Sequence, residues 1–220
     1  MEEKGQVLTS CDVSSLVIDN LCDWARGQEV AVACVYFDFA AGKEQSPESM
    51  LGAVLKQIVG GLEEVPKEIA RAYEDQKKVI GGRGLELADI TRMLQATTSE
   101  KPTFICIDAL DECVAKYRVK VLDSFNQVLQ MSPGARMFVT GRPHIQAEVG
   151  NRLSGRVKTI RITPRSYDII NYLHSRLDED TMPDAMDNSL KADILKKISQ
   201  DISEVYVETT TLEKLLQVVH

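Results

Sequence analysis

Pro102-Thr-Phe-Ile-Cys-Ile-Asp108-Ala-Leu-Asp111-Glu112 is the stretch on which the fold of this chain turns. From Thr103 to Ile107 every residue is apolar or β-prone, the pattern of a strand buried on both faces. The run ends abruptly at a carboxylate, Asp108, and two more acids, Asp111 and Glu112, follow within four residues. Open α/β sheets take their ligands outside the carboxyl ends of the strands. Acids delivered there suit Mg2+-nucleotide chemistry. Asp108 is expected to hold the hydrated metal, and Asp111 or Glu112 to orient or deprotonate a water aimed at a γ-phosphate.

Acids also follow strands as helix caps or solvated turns. Three of them spaced D-A-L-D-E, with the small Ala109 directly after the first, favour a Walker B-type element instead.

Outward from this strand, helical and extended patterns alternate. Val13, Leu16, Val17, Leu21 and Trp24 recur at helical spacing, and an apolar, β-branched run from Glu29 to Phe39 predicts the first strand. Ser46-Pro47-Glu48 has the cap, the proline and the acid of a helix start. That helix carries Leu51, Val54, Leu55, Ile58 and Leu62 on one stripe and stops at Gly60-Gly61. Further helices are expected over 66–79, with Ile69 and Tyr73 inward, and over 85–97. Gly81-Gly82-Arg83-Gly84 between them is an inter-helix turn: no strand precedes it, and no Lys-Ser/Thr follows as a phosphate loop requires. A helix over 118–131 leads to a strand over 135–140 that ends in Gly141-Arg142-Pro143-His144. A helix over 145–153, a short strand over 157–162, and helices from Ser166 and over 187–199 complete the pattern. Strands alternating with helices predict a parallel sheet covered on both faces.

Arg142 follows its strand just as Asp108 follows the previous one. The two strand ends are expected at one edge of a single crevice. There a guanidinium contacts a γ-phosphate and reports its presence, or it pairs with a neighbouring carboxylate such as Asp111.

The chain has 220 residues and a formal net charge of −7, with 44% hydrophobic and 27% charged residues. One α/β domain with at most a small appendage is expected, and a general phosphate-backbone binder is not, because such proteins present a basic face. Lys77-Lys78 and Lys196-Lys197 read as solvated helix faces. Cys11, Cys22, Cys34, Cys106 and Cys113 are scattered without a C-x-x-C pair, as in a reducing compartment, with neither a zinc site nor a disulfide framework. The histidines share no metal-ligand spacing. No apolar run is long enough to span a membrane, and Met-Glu-Glu-Lys-Gly does not resemble a signal peptide. A cytoplasmic protein is expected.

Tyr36-Phe-Asp-Phe39, Phe104-Ile-Cys-Ile-Asp108-Ala-Leu-Asp111-Glu112 and Val139-Thr-Gly-Arg-Pro143 together resemble the nucleotide domain of NACHT proteins. More narrowly, they are similar to the nephrocystin-like N-terminal modules abundant in filamentous fungi, often joined to ankyrin or WD repeats. Asp168-Ile-Ile-Asn-Tyr-Leu173 is similar to that family's segment after its last strand, so the resemblance spans roughly residues 13–204. It implies a three-layer P-loop fold and a signal-transducing ATPase of the STAND group, which switches conformation on nucleotide exchange and self-associates. By position it implies ATP or GTP with Mg2+ on Asp108, hydrolytic roles for Asp111 and Glu112, and a sensor role for Arg142. The implied partners are proteins, including further copies, rather than nucleic acid or membrane.

The chain departs from this family at both ends. A phosphate site needs a strand, a glycine-rich loop and Gly-Lys-Ser/Thr entering the first helix. Ahead of that helix stands only Glu3-Lys-Gly-Gln-Val-Leu-Thr-Ser10, with one glycine and the order Lys-Gly; Lys4 and Thr9 have the wrong spacing to substitute. In the family's sheet the loop-bearing strand lies between the sensor-bearing strand and the last one. Here either Gln6–Ser10 or the β-prone Glu204-Val-Tyr-Val-Glu-Thr-Thr210 must fill that gap, or the chain is a fragment, since unpaired buried ladder groups cost about 1–3 kcal/mol each. The chain thus divides into an unmatched 1–12, a partial nucleotide-binding domain over 13–165, a helical segment over 166–204 and an atypical shortened tail over 205–220. The expectation is a NACHT-type switch impaired in nucleotide binding and weak or inactive as an NTPase. The alternative is a non-catalytic protein-interaction remnant, or a gene-model fragment of a larger NACHT-repeat protein.

Overall fold

The computed structural model describes residues 10–41, 44–78, 84–153, 157–162, 174, 188–201 and 205–209. In chain order the elements are α1 (Ser10–Ala25), β1 (Ala31–Tyr36), α2 (Pro47–Gly60), α3 (Lys67–Lys78), α4 (Leu87–Glu100) and β2 (Thr103–Asp108). A 3-10 turn over Leu110–Glu112 leads to α5 (Ala115–Met131), β3 (Ala135–Gly141), a second 3-10 turn over Pro143–Ile145, and α6 (Gln146–Arg152). Then follow β4 (Lys158–Ile162), α7 (Asn188–Asp201) and β5 (Val205–Thr209).

The five strands are ordered β1-β2-β3-β5-β4. The first three are parallel, with Val35 opposite Ile107 and Ile107 opposite Val139. All six residues of β2 are buried, as its unbroken apolar run requires of a strand covered on both faces. Alternation along the strands divides the core into two layers. Ala33, Val35, Ile105, Ile107, Met137 and Val139 pack with α2, α4, α5 and α6, while Phe104, Cys106 and Phe138 face Ile18 and Leu21 of α1. Trp24 of α1 meets Phe104 edge to face at 5.6 Å. The chain is therefore an α/β domain with helices on both sides of its sheet.

The place beside β3 is taken by the tail, the second of the two segments able to fill the gap. β5 pairs antiparallel with β3 and with β4, Val207 standing opposite Thr140 on one side and Ile160 on the other. Four strands consequently run one way and β5 runs against them.

The outer edge of β1 is closed by two glutamines. Gln57 of α2 accepts from Cys34 N at 3.0 Å and donates to Cys34 O at 2.8 Å. Gln45 repeats the pattern, accepting from Asp38 N at 3.0 Å and donating to Tyr36 O at 3.1 Å. With Cys34 N and O, Tyr36 O and Asp38 N engaged, this edge gives a foreign strand fewer groups to pair with.

Two expectations for side chains are corrected. Leu16 is exposed, and the buried stripe of α1 runs through Ser14, Ile18 and Leu21; at ~100° per residue Leu16 lies on the far side of the helix from both Ser14 and Ile18. Tyr73 is exposed as well, because α3 touches the core through Ile69 and Ala72. The expected helix from Ser166, the Asp168–Leu173 segment and residues Lys4 to Thr9 lie outside the described residues.

Candidate functional site

β1, β2 and β3 end together, so the loops after Tyr36, Asp108 and Gly141 meet at one edge of the sheet. Asp108 closes β2 on the face covered by α1 and is 3% exposed. Its Oδ1 accepts from Ser14 Oγ at 2.5 Å and from Thr140 Oγ1. Ala109 N donates in turn to Thr140 Oγ1 at 3.0 Å, and Asp108 O accepts from Phe37 N at 3.0 Å. One carboxylate thus ties α1, β2 and β3 together through two fully buried hydroxyls.

Directly after Asp108 the backbone turns through Ala109, at φ 52° and ψ 44° the one described non-glycine residue with positive φ. The left-handed conformation costs an L-residue about 1–2 kcal/mol. It swings Leu110 into the core and leaves Asp111 and Glu112 at the sheet edge. Asp111 turns toward the end of β3: its Oδ1 accepts from Arg142 N at 3.3 Å, and its Oδ2 lies 3.4 Å from Arg142 Nε. The Asp111 side chain is 8% exposed and that of Arg142 64%. Gly141 belongs to this contact, because a Cβ there would stand 3.0 Å from Ile145 Cδ1 and 3.5 Å from Asp111 Oδ1. Glu112 turns the other way, its Oε2 accepting from Phe39 N at 3.1 Å. The two acids therefore staple their turn to the loops on either side.

Arg118 of α5 holds the turn from beneath. Its Nε and Nη2 both lie 2.9 Å from Glu148 Oε2 on α6, and its Nη1 donates to Cys113 O at 3.0 Å and Asp111 O at 3.4 Å. Beyond the turn lies a cleft of about 730 Å3 whose lining includes Phe39, Glu112, Val114 and Arg118. Burial pushes the Tyr36 phenol up to about 12, with smaller contributions from the Cys34 thiol and the Asp108 carboxylate. Tyr36 is accordingly a neutral hydroxyl at neutral pH and no base.

The residues singled out from the sequence, Asp108, Asp111, Glu112 and Arg142, all stand at this edge. Their carboxylates do not converge on one point: Asp108 faces α1, Asp111 faces Arg142 and Glu112 faces Phe39. Among the described residues no group of three or more His, Cys, Asp or Glu is placed to hold a metal ion. Asp108 offers a single carboxylate, one oxygen of which accepts from two hydroxyls. Because Mg2+ keeps several waters and binds through one or two carboxylates together with substrate phosphates, a hydrated ion at Asp108 would take its remaining ligands from water and nucleotide. Ser14, Thr140 and Arg118 were not among the sequence candidates. A serine in register with Ile18 and Leu21 on a buried helical stripe is the signal that could have pointed to Ser14.

The family model for the N-terminal region of nephrocystin 3 matches residues 12–142, more than half of the chain and every element from α1 to the end of β3. No curated protein and no solved structure matches it.

Proposed function

We propose that this chain, which belongs to the nephrocystin 3 N-terminal family, is a NACHT-type signalling module impaired in its response to nucleotide. Membership gives a NACHT-like domain; an ATP- or GTP-dependent conformational switch is the finer reading proposed here. The observation that carries the impairment is the state of the acids. Asp108 Oδ1 is engaged by Ser14 and Thr140, and Asp111 turns away from Asp108 to Arg142.

In such a switch Arg142 is the mobile part. It is well exposed, and its pair with Asp111 is long and solvent-screened, so a phosphate could compete for the guanidinium. Asp111, left without its partner, would then release the turn after β3. With no Gly-Lys-Ser/Thr loop ahead of the first helix in this sequence to seat the β- and γ-phosphates, that competition is weak, and hydrolysis at Asp111 or Glu112 is slow or absent.

A second reading, a non-catalytic protein-interaction domain, is favoured by β5. The sheet position between β3 and β4 is already filled by this chain's own tail. Calorimetric titration of Mg2+-ATP and Mg2+-GTP into wild type and Asp108→Ala separates the possibilities. Weak, millimolar binding that Arg142→Ala removes supports the impaired switch. No binding at all leaves the interaction domain. Micromolar binding with turnover, lost in Asp108→Ala, overturns the impairment.

A further inference from the structure

We infer that the cleft between the loop after β1 and the start of α5 docks a partner-protein segment presenting an arginine or lysine beside an apolar side chain. This goes beyond the proposed function, since it requires neither nucleotide nor metal. Two large apolar side chains stand in water at the cleft: Phe39 is 84% exposed and Val114 39%. Apolar side chains that line one cleft, unlike ones scattered singly over a surface, can be covered together by a single partner segment.

Both residues are also held in place. Phe39 N donates to Glu112 Oε2 at 3.1 Å, and Ala40 N to Asp38 Oδ1 at 2.9 Å. Val114 O accepts from Tyr117 N at 2.8 Å and Arg118 N at 2.9 Å. A surface ordered beforehand loses less entropy on binding.

The charge of the cleft selects the partner. Among the described residues that line it the one cation, Arg118, is spent on Glu148 and two backbone carbonyls, and Asp111 is paired with Arg142. Glu112 uses Oε2 for Phe39 N, and its other oxygen makes no hydrogen bond among the described residues; Glu44 lines the same cleft. Among the described lining residues the uncompensated charge is therefore negative, and it lies beside an aromatic face. A guanidinium or ammonium can stack on Phe39 while pairing with Glu112, and an adjacent apolar side chain covers Val114. A phosphate would meet the two glutamates and be repelled.

The test uses the whole chain and two labelled peptides, acetyl-Leu-Arg-Leu-Arg-amide and acetyl-Leu-Glu-Leu-Glu-amide, read by fluorescence polarisation and amide chemical shifts. The basic peptide is expected to bind saturably and to shift Phe39, Glu112 and Val114, with affinity falling as ionic strength rises. Phe39→Ala and Glu112→Gln should each weaken it about five-fold, the scale of one partly exposed cation–π or ion-pair contact. Val114→Ser, which keeps the charge, should weaken it as well. Equal binding of the acidic peptide, no binding of the basic one at millimolar concentration, or shifts confined to another face would overturn the inference. So would Mg2+-ATP, or a second copy of the chain, occupying the same amides.

Discussion

Thr140→Val removes a single hydroxyl from the junction of α1, β2 and β3 and nearly preserves the shape of the side chain. That hydroxyl serves two partners, donating to the buried Asp108 carboxylate and accepting from Ala109 N at 3.0 Å. A hydrogen bond to a charged group contributes about 1.5–3 kcal/mol, and a buried N–H left without an acceptor costs about 1–3 kcal/mol. Thr140→Val should therefore destabilise the domain by about 3–5 kcal/mol, a fall in Tm of roughly 6–20 °C for a chain of this size. Ser14→Ala removes one donor from the same carboxylate oxygen, bonded at 2.5 Å, and should cost about 1.5–3 kcal/mol. Because both hydroxyls act on one oxygen, the double variant should depart from the sum of the singles by about 0.5 kcal/mol or more. Urea unfolding of the three variants, followed by far-UV circular dichroism, measures all of this. A Thr140→Val cost no larger than that of Ser14→Ala, or strict additivity, would refute the assignment of Asp108 as the shared acceptor.

Gln57→Leu deletes both bonds to the Cys34 backbone and should cost about 1–2 kcal/mol; light scattering should show new association through the unsealed edge of β1. Val207→Pro places a residue without an N–H in a central strand and should cost about 3 kcal/mol, read as loss of cooperative unfolding. Alkali should weaken the fold. Burial raises the Cys113 thiol, Arg118 opposes this and Glu148 adds to it, the outcome being pushed up to about 11. The neutral thiol is favoured in the folded state, so its contribution is whole below the ordinary value of 9.0 and is lost as pH rises through about 11. That loss is about 2 kcal/mol, and Cys113→Ala should flatten it in a pH series of melting curves.

The three parallel strands and their helices were legible because continuous apolar runs bounded by turns leave little choice of element. The sheet edge that gathers Asp108, Glu112 and Arg142 was legible for the same reason, since strand ends are positions in sequence. What those side chains do with one another was not. Asp111 and Arg142 could have faced a ligand or each other, and only the left-handed turn at Ala109 and the close approach at Gly141 bring them together. Periodicity misplaced Leu16 because it counted apolar residues alone, whereas the stripe of α1 that faces the sheet includes a serine satisfied by a buried carboxylate. The β-prone character of 205–209 was visible, but an alternating pattern carries no direction. That β5 runs against its neighbours follows from pairing with β3 and β4, residues about seventy and fifty positions earlier.

That reversed strand has a consequence for the order of assembly during synthesis. β4 pairs with no other described strand, so its attachment to the rest of the sheet waits for the last described residues to leave the ribosome. Until then β3 presents an open ladder over Phe138–Gly141, beside a half-built site. At about 5–20 residues per second, the stretch from β3 to β5 keeps that edge unpaired for several seconds. The nascent chain is therefore most vulnerable to wrong strand pairing, and most in need of a chaperone, along the very strand that carries Thr140 and leads into Arg142.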